Sequence, residues 1–287
     1  MKKILIIGKN SYIGTNFEKY INQYGKNEYS INKISVRDEK WKKMNFGSFD
    51  VILHLAAIVH QTQQKYNYGL FEKINHLLPV EIAKKAKSDG VKQFIFLSTM
   101  GVYGKEDRVI SAGIKPDPQT LYAKSKFNAE LDLNMIADEK FIISIVRPPM
   151  VYGEKCKGNY NKLSMFSKMV PFFPNINNKR SMIFIDNLSS FLKYIIDNPA
   201  KRVFFPQNSE YVNTFDLVKN IRYLQNMKII ELKGFNNCIE FLAKRFDLFA
   251  KVFGSYYYDD SLEYVDKRIY NIVNFEESVK LTEFKIK

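Results

Sequence analysis

KILIIGKNSYIG, at residues 3–14, joins a short apolar run to a turn bounded by two glycines. Lys3–Ile7 predicts a buried strand and Gly8–Gly14 a tight turn, and from Ile13 onward apolar residues recur at helical spacing. A strand, a glycine turn and a helix N-terminus together form a pyrophosphate site, because free backbone N–H groups and the helix dipole face the anion. In this context the stretch predicts a dinucleotide site rather than a plain structural turn.

Each residue type in the turn has a role in this interpretation. Gly8 allows the tight turn, and Gly14 lets the helix pack closely on the sheet. Ser11 stands at the middle position, where glycine is usual, and its hydroxyl caps the helix or donates to a phosphate. We therefore expect the cofactor to be bound by Gly8, Ser11, Tyr12, Ile13 and Gly14.

Outward from this stretch, short apolar runs alternate with helical patterns as far as Val146. Strands are predicted at 29–36, 50–55, 93–98 and 141–146, and long helices at 71–87 and 119–138. Such alternation implies right-handed crossovers and a parallel sheet with helices on both faces. The predicted fold class is α/β, a Rossmann-type doubly wound parallel sheet with a smaller, interleaved C-terminal substrate-binding lobe.

The pattern changes after Arg147, where prolines and glycines interrupt it. Residues 154–180 are expected to leave the sheet. A strand at 181–185 and a helix that begins at Asp186 are expected to return to it. The predicted domains are a dinucleotide-binding domain of residues 1–153 plus 181–205, and a substrate lobe of residues 154–180 plus 206–287.

Composition excludes several classes of protein. Of the 287 residues, 46% are hydrophobic and 26% charged, as in ordinary globular domains. Two cysteines, Cys156 and Cys238, are too few for a disulfide framework. The histidines His54, His60 and His76 do not stand at metal-ligand spacing with them, so no metal site is expected.

The chain carries a formal net charge of +14. Most of this excess is interpreted as a lysine-rich solvated surface, and the functional alternative is attraction of anions such as phosphorylated ligands. The sequence has no run of five basic residues that would mark a nucleic-acid tail, and no apolar run of signal-peptide or membrane-span length. We therefore expect a cytoplasmic protein with no nucleic-acid or membrane partner.

The end of the second predicted strand, SVRD at residues 35–38, bears on the choice of cofactor. An acid at a strand end bonds the ribose hydroxyls of NAD(H), whereas an arginine there matches the 2′-phosphate of NADP(H). The strand register places Arg37 at the tip, which favours NADP(H). If the strand register were shifted by one residue, Asp38 would stand at the tip, so NAD(H) remains a possible cofactor. A third alternative is that Arg37 and Asp38 form a simple ion pair on the surface.

A candidate catalytic group begins the helix predicted at 119–138. Tyr122 and Lys126 stand four residues apart and share a helix face. A nearby ammonium favours the phenolate, so we expect it to lower the pKa of Tyr122 from about 10 and to make the phenol usable for proton transfer. Ser98 and Thr99 end the preceding strand, where open α/β sheets bind ligands, and Thr99 is placed to bond the same substrate oxygen.

Several motifs follow one another in order along the first half of the chain. They are the turn at 8–14, HLAA at 54–57, Asn75, STMGVYG at 98–104, the Tyr122–Lys126 pair, and RPPMVYG at 147–153. In this combination the chain resembles the extended short-chain dehydrogenases/reductases, the group of nucleotide-sugar epimerases, dehydratases and reductases. The resemblance implies Tyr122 as the acid/base, Lys126 at the nicotinamide ribose and Thr99 orienting the sugar, with His54 in a structural position beside the cofactor.

The resemblance also implies which other residues form the two binding sites. The implied cofactor contacts are Leu55, Ala56, Ala57, Asn75, Tyr122, Lys126, Arg147 and Pro148. The implied substrate contacts at this end of the sheet are Ser98, Thr99 and Tyr122. The family usually pairs two long helices of each subunit, here those near 71–87 and 119–138, so the resemblance implies a homodimer.

The predicted substrate lobe carries a second resemblance, to the segments that hold a UDP diphosphate in relatives of UDP-glucose 4-epimerase. Asn159 and Arg180 stand in these segments and are the expected contacts to a UDP-sugar. KVFGS at 251–255 resembles the capsule and O-antigen branch of the family. The structural alternative is that Arg180 simply belongs to a pair of basic residues on the surface and binds no substrate.

Three functions remain open on these residues. The first is a 4-ketoreductase that acts with NADPH on a UDP-4-keto-6-deoxy-N-acetylhexosamine for surface polysaccharides; Arg37 favours it. The second is a UDP-sugar 4-epimerase, with UDP-glucose or UDP-GlcNAc as substrate, which uses the same side chains. The third is a non-catalytic dinucleotide sensor, which the complete set of Thr99, Tyr122 and Lys126 disfavours.

Overall fold

The computed structural model describes residues 1–59, 68–104 and 108–284, so His60 lies outside the described residues. The chain divides into two compact units. Unit 1 comprises Met1–Gly104, Lys115–Pro148 and Ser189–Phe205, and unit 2 comprises Lys105–Ile114, Pro149–Leu188 and Pro206–Lys287. These ranges differ from the expected domains at 105–114, 149–153 and 181–188.

The strands and helices alternate through most of the chain. In chain order the strands are β1 (Lys2–Ile7), β2 (Tyr29–Ile34), β3 (Val51–His54), β4 (Gln93–Leu97), β5 (Arg108–Ile110), β6 (Ile142–Val146), β7 (Met150–Tyr152), β8 (Phe172–Pro174), β9 (Met182–Phe184), β10 (Arg202–Phe204), β11 (Ile230–Leu232) and β12 (Tyr256–Tyr258). The α-helices are α1 (Tyr12–Tyr24), α2 (Tyr68–Phe71), α3 (Leu78–Ser88), α4 (Leu121–Ile136), α5 (Asn159–Met169), α6 (Ile185–Asp197), α7 (Thr214–Leu224), α8 (Asn236–Arg245), α9 (Asp247–Phe253), α10 (Lys267–Tyr270) and α11 (Phe275–Glu283). A π-helical turn, Glu72–Leu77, joins α2 to α3, and short 3₁₀ helices lie at Glu39–Lys43, Met100–Tyr103 and Asp260–Leu262.

Unit 1 is built on a parallel sheet. Among the described residues, six strands pair in the order β10-β6-β4-β3-β1-β2, every pair parallel. The fold is therefore of the predicted Rossmann type. Chain order reverses at β1, which has β2 on one side and β3 on the other. In open sheets of this kind, ligands bind beyond the carboxyl ends of the strands at such a switch point.

The core of unit 1 explains why the strands read as continuous apolar runs. Residues 4–7 of β1 are fully buried, and so are Phe94 and Phe96 of β4. The helices cover the sheet with apolar side chains such as Ile82 and Leu133. Both faces are buried, so no alternation of polar and apolar residues appears along these strands.

The prediction for residues 181–185 was wrong in one respect. A strand forms there as β9, but it pairs with β7 in a separate two-stranded sheet, not with the main sheet. The strand that does extend the main sheet is β10, which pairs with β6. Three-residue strands such as these carry too little sequence pattern to show which sheet they join.

Unit 2 contains the short sheets and the tail helices. Strand β11 pairs with β8, and β12 pairs with β5. Both cysteines are free; Cys156 is buried and Cys238 in α8 is exposed. None of the helices in the described ranges has both the length and the apolar character needed to cross a membrane. The described part of the chain also contains no group of three or more His, Cys, Asp or Glu side chains that could hold a metal ion.

Candidate active site

The turn after β1 is shaped for close backbone approach. Gly8 has φ +117°, and a Cβ there would lie 3.0 Å from the amide nitrogen of Ala56. A Cβ on Gly14 would already lie 3.1 Å from Ile6 Cγ2 and from Leu55 Cδ1. Glycine at both positions thus lets the turn curl tightly and lets α1 rest directly on the sheet.

The N-terminus of α1 is capped by the serine that replaces the usual middle glycine. Ser11 Oγ accepts a hydrogen bond from the Gly14 amide at 3.3 Å, and the first turn of the helix carries no acidic residue. Tyr12 and Ile13 open the helix and are half-buried. Amide groups at a helix N-terminus without a competing carboxylate are suited to an anion, so the turn fits the pyrophosphate of a dinucleotide.

The end of β2 separates the two residues that bear on cofactor choice. Strand β2 closes against the turn, since the amides of Gly8 and Lys9 both donate to the Ile34 carbonyl at 3.0 Å. Asp38 caps the 3₁₀ helix that follows and accepts from the Lys40 amide at 3.3 Å. Arg37 is exposed. The carboxylate is thus engaged locally, and the specificity of Arg37 stays a prediction.

Asn75 braces the segment that follows β3. Its side chain accepts from the Ile58 amide at 2.9 Å and donates to the Ile58 carbonyl at 3.0 Å and to Ser125 Oγ at 3.3 Å. The residue is fully buried in the π-helical turn. Leu55 is also buried, and Ala56 and Ala57 are partly exposed. Asn75 therefore fixes this loop against α4, whatever contact with the cofactor it makes.

Two predicted catalytic residues, Thr99 and Lys126, lie at the carboxyl end of β4, and the third, Tyr122, lies in the first turn of α4. Thr99 Oγ1 accepts from the Gly101 amide at 3.1 Å and so caps the 3₁₀ helix that follows the strand. A Cβ on Gly101 would lie 3.4 Å from Thr99 Oγ1 and 4.0 Å from Ala123 Cβ, which places Thr99 beside the first turn of α4. Tyr122 lies in that turn, and Thr120 caps it by accepting from the Ala123 amide at 3.1 Å.

The pKa of Tyr122 moves in the direction opposite to the one expected from sequence. The residue keeps partial exposure, yet desolvation of its phenol raises the pKa to about 12. Spacing on a helix brings two side chains to one face, but it does not decide where a long lysine side chain ends. The expectation that Lys126 lowers this pKa was therefore wrong for the structure described here.

Lys126 directs its amino group to the end of β4. Nζ donates to the Leu97 carbonyl at 2.8 Å and lies 4.4 Å from the centroid of the Phe96 ring. The side chain is 1% exposed, and burial lowers the pKa of Lys126 to about 7 against the opposing charge of Glu130. An amine with this pKa changes its charge near neutral pH, which is a property of groups in functional sites.

His54 lies next to this lysine in the interior of the sheet. Its ring is fully buried, 5.9 Å from the rings of both Phe94 and Phe96. Neither ring nitrogen has a hydrogen-bond partner among the described residues. Desolvation, assisted by the charge of Lys126, lowers the pKa of His54 to about 3. The imidazole is thus neutral at physiological pH, as a structural position requires.

Glu130 belongs to the site although the sequence analysis did not select it. It is buried, accepts a hydrogen bond from Ser98 Oγ, and forms an ion pair with Arg147. Arg147 also donates to the Tyr103 hydroxyl at 2.7 Å. The only sequence signal was that Glu130 follows Lys126 by four positions and so shares its helix face, and an acidic residue there is usually solvated.

These contacts change the interpretation of two expected binding residues. The hydroxyl of Ser98 and the guanidinium of Arg147 are both engaged by Glu130 inside unit 1. Direct contact of Ser98 with substrate, or of Arg147 and the buried Pro148 with cofactor, stays a prediction. What the structure adds is a network that joins the strand end at Ser98 to α4.

The expected diphosphate contacts lie in unit 2. Asn159 is exposed at the first position of α5. Arg180 is half-buried, and its Nη1 donates to the Gly254 carbonyl at 2.9 Å, just beyond the end of α9. The backbone of Arg180 bridges Val212 and Tyr256. The arginine is therefore held firmly by its own unit.

Comparison with known proteins extends this picture. Residues 4–204 match the sequence model of the NAD dependent epimerase/dehydratase family. The chain is 29% identical over 249 residues to a UDP-glucose 4-epimerase of Vibrio cholerae, covering 77% of this chain and 75% of that protein. It is 28% identical over 250 residues to the N-acetyl-alpha-D-glucosaminyl-diphospho-ditrans,octacis-undecaprenol 4-epimerase of Escherichia coli O157:H7, covering 79% and 73%.

A solved structure agrees with the fold. UDP-glucuronic acid 4-epimerase from Bacillus cereus, in complex with NAD, superposes with a TM-score of 0.73 at 15% identity. The match covers 98% of this chain and 95% of that one. At this identity the likeness concerns the fold, and it includes the regions beyond residue 204 that the family match leaves out.

Proposed function

The chain belongs to the NAD dependent epimerase/dehydratase family and is an NAD(P)-dependent enzyme of the short-chain dehydrogenase/reductase type, and on this premise we propose that it is a 4-epimerase of sugars carried on a diphosphate. The proposal is supported by the positions of Thr99 and Lys126 at the end of β4 and of Tyr122 in the first turn of α4, together with two curated relatives that are named as 4-epimerases. Membership in an enzyme family sets aside the sensor interpretation.

The chemistry divides between cofactor and protein. A bound nicotinamide supplies the acceptor and donor of hydride at C4 of the sugar. In its phenolate form Tyr122 takes the proton of the C4 hydroxyl and later returns it, while the Thr99 hydroxyl holds the same oxygen. Burial of the phenol opposes formation of this phenolate. The Lys126 amino group, which is hydrogen-bonded to the Leu97 carbonyl, has a pKa of about 7 and can change its charge near the site of this proton transfer.

A 4-ketoreductase acting on a UDP-4-keto-6-deoxy-N-acetylhexosamine is the second candidate, and specific observations favour it. The raised pKa of Tyr122 keeps the phenol protonated at neutral pH, which is the form that donates a proton to a ketone. Arg37 is exposed three residues beyond the end of β2, and a guanidinium there would match the 2′-phosphate of NADPH. In this case NADP(H) is the working cofactor; in the epimerase case it is NAD(H).

The substrate class follows from what the two relatives share. One is named for UDP-glucose and the other for a sugar on undecaprenol diphosphate, so a sugar on a diphosphate is common to both. We propose a UDP-sugar, with Asn159 and Arg180 as contacts to the diphosphate. An arginine held in place by the Gly254 carbonyl loses little side-chain freedom when it binds an anion.

The proposed enzyme is a homodimer in the cytoplasm that serves polysaccharide biosynthesis. Large apolar side chains are exposed on the two helices that the family resemblance pairs, with Leu77 52% exposed and Met135 on α4 78% exposed. Such side chains support a helix-to-helix interface. Two free cysteines agree with a reducing compartment.

One assay separates the candidate reactions. Purified protein is incubated with UDP-glucose or UDP-GlcNAc and NAD⁺, and separately with a UDP-4-keto-6-deoxy sugar and NADPH, while nicotinamide absorbance and sugar products are followed. The epimerase forms the C4 epimer with no net change in absorbance. Stoichiometric oxidation of NADPH assigns the reductase instead.

A second experiment measures the steady-state rate with the sugar substrate in the presence of UDP, which should inhibit competitively. If UDP does not compete with the sugar substrate, the diphosphate contacts are removed from the proposal. In that experiment Arg180→Ala is expected to raise KM much more than it lowers kcat, because the diphosphate is bound equally in ground and transition states. Arg202→Ala is the matched control, since this exposed arginine of β10 has no expected substrate role.

A further inference from the structure

Six of the large apolar side chains exposed in unit 2 belong to neighbouring elements of the chain. They come from α5, β8, α7 and β11, and their exposed fractions run from 49% for Phe166 to 78% for Met169. The apolar patch, as we call it, consists of Met165, Phe166, Met169, Phe172, Tyr223 and Ile230. Scattered exposed residues need no explanation, but a contiguous group marks an interaction surface.

Helix α5 contributes one continuous stripe. Met165, Phe166 and Met169 follow the exposed Lys162 at helical spacing, so the four residues share one face. The opposite face carries Tyr160, Ser164 and Ser167, all of which are buried. The stripe is thus the solvent face of a helix whose other side is already packed.

Strands β8 and β11 contribute a pair of neighbours. Phe172 and Ile230 are register partners in parallel strands, so their side chains lie next to each other on the same side. The adjacent Phe173 and Ile229 point the other way, into a small apolar core. The exposed side of this two-stranded sheet is therefore apolar, where polar residues are usual.

Arg222 joins these elements into one surface. Its Nη1 donates to the carbonyls of Ser167 at 2.5 Å and Val170 at 3.0 Å, and its Nε donates to that of Lys228 at 2.8 Å. The end of α5, the end of α7 and the start of β11 therefore meet at one buried guanidinium. Tyr223 is the next residue along α7, which places it at the same junction.

The charge around the apolar patch is basic. Lys162 and Lys228 are exposed, and neither forms an ion pair with a described residue. Glu231, the acidic residue beside Ile230, lies 3.9 Å from the amine of Lys233. The chain as a whole has a formal net charge of +14. The surface thus combines apolar side chains with unneutralised lysines.

We propose that the apolar patch docks on the surface of an anionic lipid membrane, with its side chains in the acyl boundary and Lys162 and Lys228 at the headgroups. Phenylalanine beside lysine is typical of interfacial membrane segments. Aromatic residues and methionine are also enriched in protein interfaces, but lysine is depleted there, so the unneutralised lysines favour the membrane. From the sequence we expected no membrane partner, because no apolar run is long enough to span a membrane. Docking on a membrane surface does not require such a run. The proposal does not depend on the reaction proposed above.

The test is co-sedimentation of the full chain with phosphatidylcholine vesicles, with and without phosphatidylglycerol at about one lipid in four. Binding is expected only to the anionic vesicles and to weaken as salt rises. The variant Tyr223→Ser/Ile230→Ser is expected to bind about tenfold more weakly. Its matched control is Tyr24→Ser/Ile269→Ser, which removes an exposed tyrosine and an exposed isoleucine elsewhere.

A second pair of variants tests the charges. Lys162→Glu/Lys228→Glu is expected to lose about tenfold or more in affinity for the anionic vesicles. Lys19→Glu/Lys26→Glu changes the net charge equally at exposed positions of unit 1 and is expected to lose far less.

Three results overturn the proposal: no binding by the unchanged chain, equal losses in patch and control variants, or a patch variant that alters molar mass in light scattering while vesicle binding stays the same. The last result would assign the surface to a second copy of the chain. Circular dichroism of each variant shows that the fold is kept.

Discussion

Arg147 and Glu130 face each other across the interior of unit 1, with Arg147 Nε 3.1 Å from each carboxylate oxygen of Glu130. Arg147 directly follows β6, and Glu130 lies midway along α4. Because Ser98 also donates to Glu130, the ion pair connects three segments around the end of β4. It therefore holds the strand end that carries Thr99 in register with the helix that carries Tyr122.

Loss of one partner of this pair should be costly. Arg147→Met leaves a buried carboxylate without its cation, so we expect the free energy of unfolding to fall by about 3–5 kcal/mol. The double variant Arg147→Met/Glu130→Leu removes both charges and should be more stable than the single variant. Urea unfolding followed by the fluorescence of the buried Trp41 measures both. A double variant weaker than the single one would contradict this account.

Tyr122→Phe should abolish chemistry and spare binding. The phenolic proton matters only in the chemical step, so kcat is expected to fall by about 10²–10⁴. NADH affinity, measured by nicotinamide fluorescence, should stay nearly unchanged. Near wild-type kcat would remove Tyr122 from the mechanism.

Lys126→Met should stabilise the protein in a pH-dependent way. The folded pKa of about 7 lies below the ordinary value of 10.5, so between these values the unfolded chain holds a proton that the folded chain lacks. Stability of the unchanged protein therefore rises with pH across this window. Lys126→Met should raise the free energy of unfolding by about 2–4 kcal/mol below pH 7, and this increase should become smaller as the pH approaches 10.5.

Lys124→Met is the matched control for that measurement, because Lys124 is an exposed lysine on the same helix. Its effect on the free energy of unfolding should be small. Urea unfolding over a pH series gives both curves. A flat difference between Lys126→Met and the unchanged protein would show that the amine is not strained by burial.

His54→Phe should reduce acid sensitivity. The folded pKa of about 3 lies below 6.5, so as pH falls through this window the unfolded chain takes up a proton that the folded chain refuses. Because of this group, the free energy of unfolding of the unchanged protein falls by about 1.4 kcal/mol for each pH unit below 6.5, and that of the variant should not. Unfolding curves at pH values across the window report the difference. Parallel acid losses in both proteins would count against a neutral His54.

Arg37→Asp should change cofactor preference if the arginine meets the 2′-phosphate. NADPH affinity should fall by about 1.5–3 kcal/mol, or roughly 10- to 100-fold, with a much smaller change for NADH. Lys40→Asp, an equal change of charge three residues away, is the control. Equal affinity of the unchanged protein for both cofactors would make Arg37 a surface residue.

Sequence patterns predicted the sheet well where strands were long. The turn at 8–14 and the strands β1, β2, β3, β4 and β6 were predicted because continuous apolar runs and helical spacing are both strong over these lengths. Among the three-residue strands, β9 was assigned to the wrong sheet and β10 was not predicted, since pairing partners are set by tertiary packing.

The candidate site shows a similar division. Helical spacing predicted that Tyr122 and Lys126 share a face of α4, but it could not foresee that Lys126 would bond the Leu97 carbonyl. The direction of the Tyr122 pKa was therefore mistaken. The role of Glu130 was missed because an acidic residue on a helix is usually exposed to solvent. Only the structure shows its buried ion pair with Arg147.

The two cysteines give this protein a built-in reporter of its own unfolding. Cys156 is buried and burial raises the pKa of its thiol, whereas Cys238 is exposed. A brief pulse of a thiol reagent should therefore modify one sulfur per native chain and two per denatured chain. Counting modified sulfurs by mass would read the folded fraction of any variant directly, with no dye, no added tag and no engineered residue.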